Sequence, residues 1–184
     1  SSKVTFTNPA SFLKNWNGLP DPVEAAPAVI KRYLSAYGPA TPETFDAWLS
    51  RNSNKKSTLK SWFASLGEQV VEVRVEGETR YLLAEHEDEL AATRPSRATH
   101  LLGAFDQFVL GPGTKDTHML ANKHRSRVSK AAGWIAPVLT QGGRITGVWE
   151  MDDGNLVVTP FPGEQAPPSK VLEDAAARLA AVHG

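Results

Sequence analysis

The sequence predicts an α+β chain in two modules. Residues 20–92 read as three helices and a β-hairpin, and residues 98–184 as a small antiparallel β-barrel or sheet with a C-terminal helix. Three features lead there. Apolar residues recur at helical spacing over residues 23–66 and then alternate from Val70. Strand-like runs at 135–139, 144–151 and 155–161 are separated by the turn sequences Gln141-Gly142-Gly143 and Asp152-Asp153-Gly154-Asn155. Finally, Val171, Leu172, Ala175, Leu179 and Val182 fall on one side of a last helix that follows Pro167-Pro168-Ser169.

Residues 4–7 alternate like the end of a strand, and residues 1–19 read as the end of a preceding module. Asn8-Pro9 starts a short helix through Leu13 and Trp16 that closes near Gly18. Asp21-Pro22-Val23-Glu24 resembles a capping box. Val23, Ala26, Ile30, Tyr33, Leu34 and Tyr37 then follow a helical period, with Pro27 expected to kink the helix or delay its start. Gly38 and Pro39 end it. Thr41 caps a second helix that has Pro42 at its first position and Phe45, Trp48 and Leu49 on one face. Residues 51–54 make a polar connection. A third helix over 55–66 buries Leu59, Trp62, Phe63 and Leu66 in one stripe, and Gly67 stops it. Residues 70–75, the turn Glu76-Gly77 and residues 79–84 form the hairpin. This order is the layout of a winged helix, with the second and third helices as the helix-turn-helix and the hairpin as the wing. An acidic helix over 85–92, a linker over 94–99 and an apolar stretch over 101–110, broken by Gly111-Pro112-Gly113, lead into the second module.

Composition narrows the chemistry. With no cysteine among 184 residues, a disulfide scaffold, a thiolate zinc site, an iron–sulfur cluster and a Cys nucleophile are excluded. No apolar run is long enough to span a bilayer and no signal peptide is present, so a soluble, cytoplasmic protein is expected. Ser1-Ser2 in place of Met suggests a piece of a longer protein. Acids and bases balance at 20 each, but unevenly: residues 51–66 carry a net charge of +4, 67–92 of −6, 93–149 of +6 and 150–184 of −4. Basic blocks on a neutral protein can still attract polyanions.

The third helix is the leading functional candidate. Its apolar stripe fixes its orientation, which leaves Lys55, Lys56, Ser57, Lys60 and Ser61 off that stripe, with Arg51 just before it. In a helix-turn-helix, the N-terminal part of this helix approaches the major groove; Lys neutralises phosphate and Ser hydrogen-bonds it. The competing reading is a solvated lysine face. The wing opposes DNA contact, because Glu72, Glu76 and Glu78 stand against only Arg74 and Arg80. A second basic cluster, His118, Lys123, His124, Arg125, Arg127 and Lys130, suits phosphate contact. His118 and His124 read better as unpaired surface histidines than as metal ligands. Asp106, between Phe105 and Phe108, reads as a structural acceptor, and Trp149 as core rather than a base-stacking platform. No phosphate-binding glycine loop or serine nucleophile motif occurs, and no cofactor is expected.

Several segments carry a family resemblance. Arg32-Tyr-Leu-Ser-Ala-Tyr-Gly-Pro-Ala-Thr41 with Phe45-Asp-Ala-Trp48 resembles the start of the last winged helix in the AlkZ-like winged-helix DNA glycosylases. Leu101-Leu-Gly-Ala-Phe-Asp-Gln-Phe-Val-Leu-Gly111 resembles the family's leucine-leucine, phenylalanine-aspartate, leucine-glycine segment. His124-Arg125, Gly133 with Pro137-Val138, and Gly143-Arg-Ile-Thr-Gly-Val-Trp149 are similar to its later motifs. The resemblance implies tandem winged helices and a β-barrel wrapped around damaged DNA. It also implies excision of alkylated bases and unhooking of crosslinks, without a metal. The family's catalytic pair is a Gln-aliphatic-Gln or Gln-aliphatic-Asp motif in the N-terminal half. This chain has neither Gln-x-Gln nor Gln-x-Asp, so it resembles the C-terminal half and no catalytic residue carries over. Double-stranded DNA and the protein's own N-terminal half are the expected partners. The alternative is a protein-interaction or scaffold module that never touches DNA.

Overall fold

The computed structural model describes residues 5–183, and side chains through Ala181. Three helices open the ordered core: α1 (Pro22–Tyr37), α2 (Pro42–Ser50) and α3 (Lys56–Ala64). Asp21 caps α1 by accepting the Val23 N–H at 2.7 Å. Helix α1 starts at Pro22 and runs unbroken through Pro27, so that proline neither delays its start nor ends it. Pro27 is the sixth residue of α1, so the helix continues without the bond that an N–H there would make to the Val23 carbonyl. Thr41 and Thr44 cap α2 reciprocally, each side-chain oxygen accepting the other's backbone N–H.

The strands β1 (Val70–Val75) and β2 (Glu78–Leu83) pair antiparallel around Glu76-Gly77. Both turn residues have positive φ, 48° and 89°, which matches the right-handed twist of a tight hairpin. The first core joins these elements. Ile30, Tyr33 and Leu34 of α1 meet Phe45 of α2, the expected stripe Leu59, Trp62, Phe63 and Leu66, and Leu83 of β2. An edge bridge between Ala40 and Tyr81 adds a short backbone contact to the hairpin. After a 3₁₀ turn comes α4 (Glu87–Ala92).

The apolar stretch at 101–110 is divided between β3 (Thr99–Leu102) and α5 (Gln107–Leu110). A short α6 (Arg125–Val128) precedes β4 (Val138–Gln141), β5 (Arg144–Asp152) and β6 (Asn155–Pro160), and α7 (Ser169–His183) ends the chain. The expected run at 135–139 forms a strand only from Val138; Ile135 makes an isolated bridge to Ser129 instead. The sheet order is β3-β4-β5-β6, all antiparallel. Among the described residues β3 and β6 do not pair, so of the expected barrel or sheet it is the open sheet that forms. Helix α7 supplies the physical reason: it packs along β3 and covers the face and edge that closure would otherwise shield. Val138 and Leu139 point to opposite faces. Val138 joins Val109, Leu120, Val128 and Phe161 in one core, and Leu139 joins Leu101 and Ala175 in another.

Two N-terminal expectations are corrected. No strand occurs at 5–8, and Val4 lies outside the described residues. The helix expected after Asn8 is a single 3₁₀ turn, Pro9–Ser11. Phe6, Phe12, Leu13 and Leu19 are exposed there, so this segment lacks the apolar contacts that would stabilise a longer helix.

Candidate nucleic-acid interface

The basic face of α3 begins in the turn that feeds it. Asp46, buried at 3% exposure, points back from α2 and organises that turn. Its carboxylate accepts from the Asn54 side-chain amide at 2.6 Å, from the Asn54 backbone at 3.3 Å and from the Ser50 hydroxyl. Ser50 in turn accepts the Ser53 N–H at 3.1 Å. This network holds Arg51 and Asn52 in left-handed backbone, φ 57° and 65°. Beyond it, Arg51, Lys55, Lys56, Ser57 and Lys60 are all exposed, and none of the four cations is ion-paired among the described residues. The α3 start has no side-chain cap, so its first N–H groups remain free to meet an anion. Lys56 and Lys60 also line a cleft of about 520 Å³ between α3 and the hairpin, whose other walls include Glu43, Glu72 and Tyr81.

Two of the hairpin acids, Glu76 and Glu78, have internal partners. Arg80, 8% exposed, bonds Glu78 at 2.9 Å and Asp116 at 3.1 Å, and donates to the Pro39 carbonyl at 3.3 Å. His118 Nδ1 lies 2.7 Å from the Arg80 guanidinium and 3.2 Å from Asp116, and its Nε2 is 3.7 Å from Glu76. Glu76 also meets Arg144 at 3.5 Å. Of the acids that looked unfavourable for a DNA-facing wing, Glu76 thus ties the hairpin to the sheet region and Glu78 pairs within its own strand, while Glu72 lines the α3 cleft. Burial alone would raise the Asp116 pKa; the hydrogen bond and charge of Arg80 outweigh it and hold the carboxyl below its usual range. Burial likewise works against the Arg80 charge, and Asp116 and Glu78 more than restore it.

The second basic cluster lies on a 3₁₀ turn, Asn122–His124, and α6. Lys123, Arg127 and Lys130 are exposed, while Arg125 is half-buried and donates to the Thr114 hydroxyl at 3.3 Å. His124 departs from expectation. It is 3% exposed, stacks on Phe161 with ring centroids 4.5 Å apart, and among the described residues has no partner for either ring nitrogen. Its ring faces the core, because the turn that directs Lys123 outward directs the next side chain inward. It therefore does not contribute to the exposed basic track, and neither it nor His118 is an unpaired surface histidine. Burial, then the charges of Lys123 and Arg127, push its pKa down. Among the described residues no group of three His, Asp or Glu side chains could hold a metal ion, and no helix is long and apolar enough to cross a membrane.

Asp106 caps α5 by accepting the Phe108 N–H at 2.8 Å, the structural role expected of it. The half-buried Trp149 donates its indole N–H to the Leu102 carbonyl at 2.8 Å and packs in the α7 core. Sequence reasoning missed Asp46, Arg80 and Asp116. A polar residue set among the apolar positions of a helix or strand, as Asp46 and Arg80 are, was the available signal.

The chain is similar to known proteins in sequence and in fold. The family model for AlkZ-like DNA glycosylases matches residues 3–182. A curated relative from Streptomyces sahachiroi, an interstrand DNA cross-link repair glycosylase, is 55% identical over all of this chain. The chain spans about half of that relative's length, 50%. The solved structure of the Streptomyces sahachiroi DNA glycosylase AlkZ superposes with a TM-score of 0.88 over 92% of this chain and 46% of its own. A match that runs nearly end to end, at that identity and with that superposition, places this chain in the AlkZ-like DNA glycosylase family.

Proposed function

We propose that this chain is the DNA-docking half of a DNA-repair glycosylase. The observation that carries this reading is the exposed row Arg51, Lys55, Lys56 and Lys60 at the start of α3, unpaired among the described residues. On this reading α2 and α3 are a helix-turn-helix and β1–β2 a wing, within a winged-helix domain spanning about residues 20–92. The lysines and Arg51 neutralise phosphates, and Ser57 hydrogen-bonds one. Lys123, Arg125, Arg127 and Lys130 form a second phosphate track on the sheet region. The wing serves as a brace, since Glu78 is matched by Arg80 and Glu76 by His118 and Arg144. Base excision and crosslink unhooking are assigned to the protein's other half, because no Gln-x-Gln or Gln-x-Asp occurs in this sequence. The exposed Phe6, Phe12, Leu13 and Leu19 favour contact between residues 5–19 and that half.

The test is binding to a fluorescent duplex, with and without an abasic analogue, at two salt concentrations. Salt-dependent binding supports the reading, because released counterions set the slope. Absence of binding at low salt would instead make this half a scaffold.

A further inference from the structure

Trp134 is 53% exposed although it is a large apolar ring, and it does not stand alone. Phe105, 41% exposed, meets it edge-on with centroids 5.0 Å apart and planes at 84°. Two other features mark this patch. The first is its backbone. Phe105 and Ala132 are non-glycine residues in left-handed conformation, φ 58° and 54°. Such residues cost energy and persist where the surrounding structure holds them in place. Here the Lys130 N–H donates to the Trp134 carbonyl at 2.8 Å, and the Ser129–Ile135 bridge closes the loop behind it. The ring is therefore presented by a short, tied loop. The second feature is charge. Trp134 shares a cavity of about 350 Å³ with Arg127 and Lys130, both exposed and neither ion-paired among the described residues; Trp149 and a single carboxylate, Glu150, also line it.

An exposed indole beside two free cations suits one class of partner: a nucleobase whose stacking partner is missing, on a strand whose phosphates the cations hold. An intact duplex offers no free base face. We propose that Trp134, braced edge-on by Phe105, stacks on an unpaired base of DNA whose backbone is held by Arg127 and Lys130. This rests on the DNA-docking reading above. It differs from the role considered for Trp149, whose ring is committed to the core.

The experiment uses an intact duplex and a duplex with one bulged 2-aminopurine, bound by the chain as it is and by Trp134→Ala and Trp134→Phe. The expected result is quenching of 2-aminopurine by the unmodified chain. Trp134→Ala should abolish the quenching and lower affinity for the bulged duplex at least about fivefold, with intact-duplex affinity within about twofold; Trp134→Phe should retain most of the affinity. If Trp134→Ala binds the bulged duplex as tightly, or loses affinity equally on both duplexes with its melting temperature unchanged, stacking is overturned while DNA docking stands. If the unmodified chain binds neither duplex at low salt, the docking reading fails and the stacking proposal fails with it.

Discussion

Arg80 and Asp116 form a buried ion pair, Nη1 to Oδ2 at 3.1 Å, between the second hairpin strand and the turn that leads to Leu120. Around it, Tyr33 reaches the Gly111 carbonyl at 3.4 Å and Tyr37 reaches Gln107 at 3.2 Å. Gly111 permits that approach, since a Cβ there would run into the Tyr37 ring. The helical part and the sheet part therefore meet through charge and two tyrosines.

Breaking this pair should be costly. Both side chains are less than a tenth exposed, so either Arg80→Ala or Asp116→Asn removes a buried partner, with Glu78 still meeting Arg80 and the His118 N–H still meeting Asp116. The expected loss, by urea denaturation, is below the about 3–5 kcal/mol of a fully stranded buried charge, because those partners remain. The double change Arg80→Met with Asp116→Leu should cost less than either single change, because it removes both charges and keeps the volume. Equal or larger loss in the double variant would show that packing, not charge, holds the joint.

The pH profile should show two separate windows. Asp116 has a lowered folded pKa, so its contribution is present above the unfolded value and is lost only as pH falls through the folded one, in the strongly acidic range. His124 also has a lowered folded pKa, but it is a base. The unfolded chain takes up its proton first, so stability should begin to fall below about pH 6.5 and level off below the folded value. Chemical denaturation between pH 7.5 and 5 should detect this slope. His124→Leu should flatten it and leave stability at pH 7.5 nearly unchanged or higher, because two buried nitrogens without partners are removed. A slope that persists in His124→Leu would assign the window to another group.

Charge reversal on α3 should weaken DNA binding without unfolding the chain. Lys56 and Lys60 are exposed, so Lys56→Glu with Lys60→Glu should leave the melting temperature within a few degrees. Each lost phosphate contact should reduce the slope of log affinity against log salt by about 0.9. The double variant is therefore expected to bind less tightly and with a shallower salt dependence. Unchanged affinity on an intact fold would move DNA contact away from this helix.

Local rules carried most of the fold. The stripe Leu59, Trp62, Phe63 and Leu66 and the Glu76-Gly77 turn were legible because period and turn chemistry act over a few residues. Closure was not legible. Whether four strands curl into a barrel depends on what covers β3, and that is α7, some 70 residues away in sequence. The same limit applies to the candidate interface. Exposure of Lys55, Lys56 and Lys60 followed from the helical period. The pairing of Glu76 and Glu78 with Arg144 and Arg80, and the inward turn of His124, required knowing what lies opposite.

Asp46 links stability to binding. Its carboxylate supports Ser50 and Asn54, and through them the left-handed Arg51-Asn52 turn that starts the basic row. Asp46→Ala leaves half-buried donors on Ser50 and Asn54 unmatched, so the expected cost is about 1–3 kcal/mol in urea denaturation. The turn should also loosen, with faster amide exchange at Ser53 and Asn54, whose N–H groups now meet Ser50 and Asp46. If the α3 start is the DNA-contacting face, affinity should fall in the same variant although no cation has been changed. The drop should be smaller than in Lys56→Glu with Lys60→Glu, and the salt slope should stay close to that of the unmodified chain, since every phosphate-neutralising group remains. Loss of stability with full affinity would mean that Asp46 braces the helix pair but does not position the basic face.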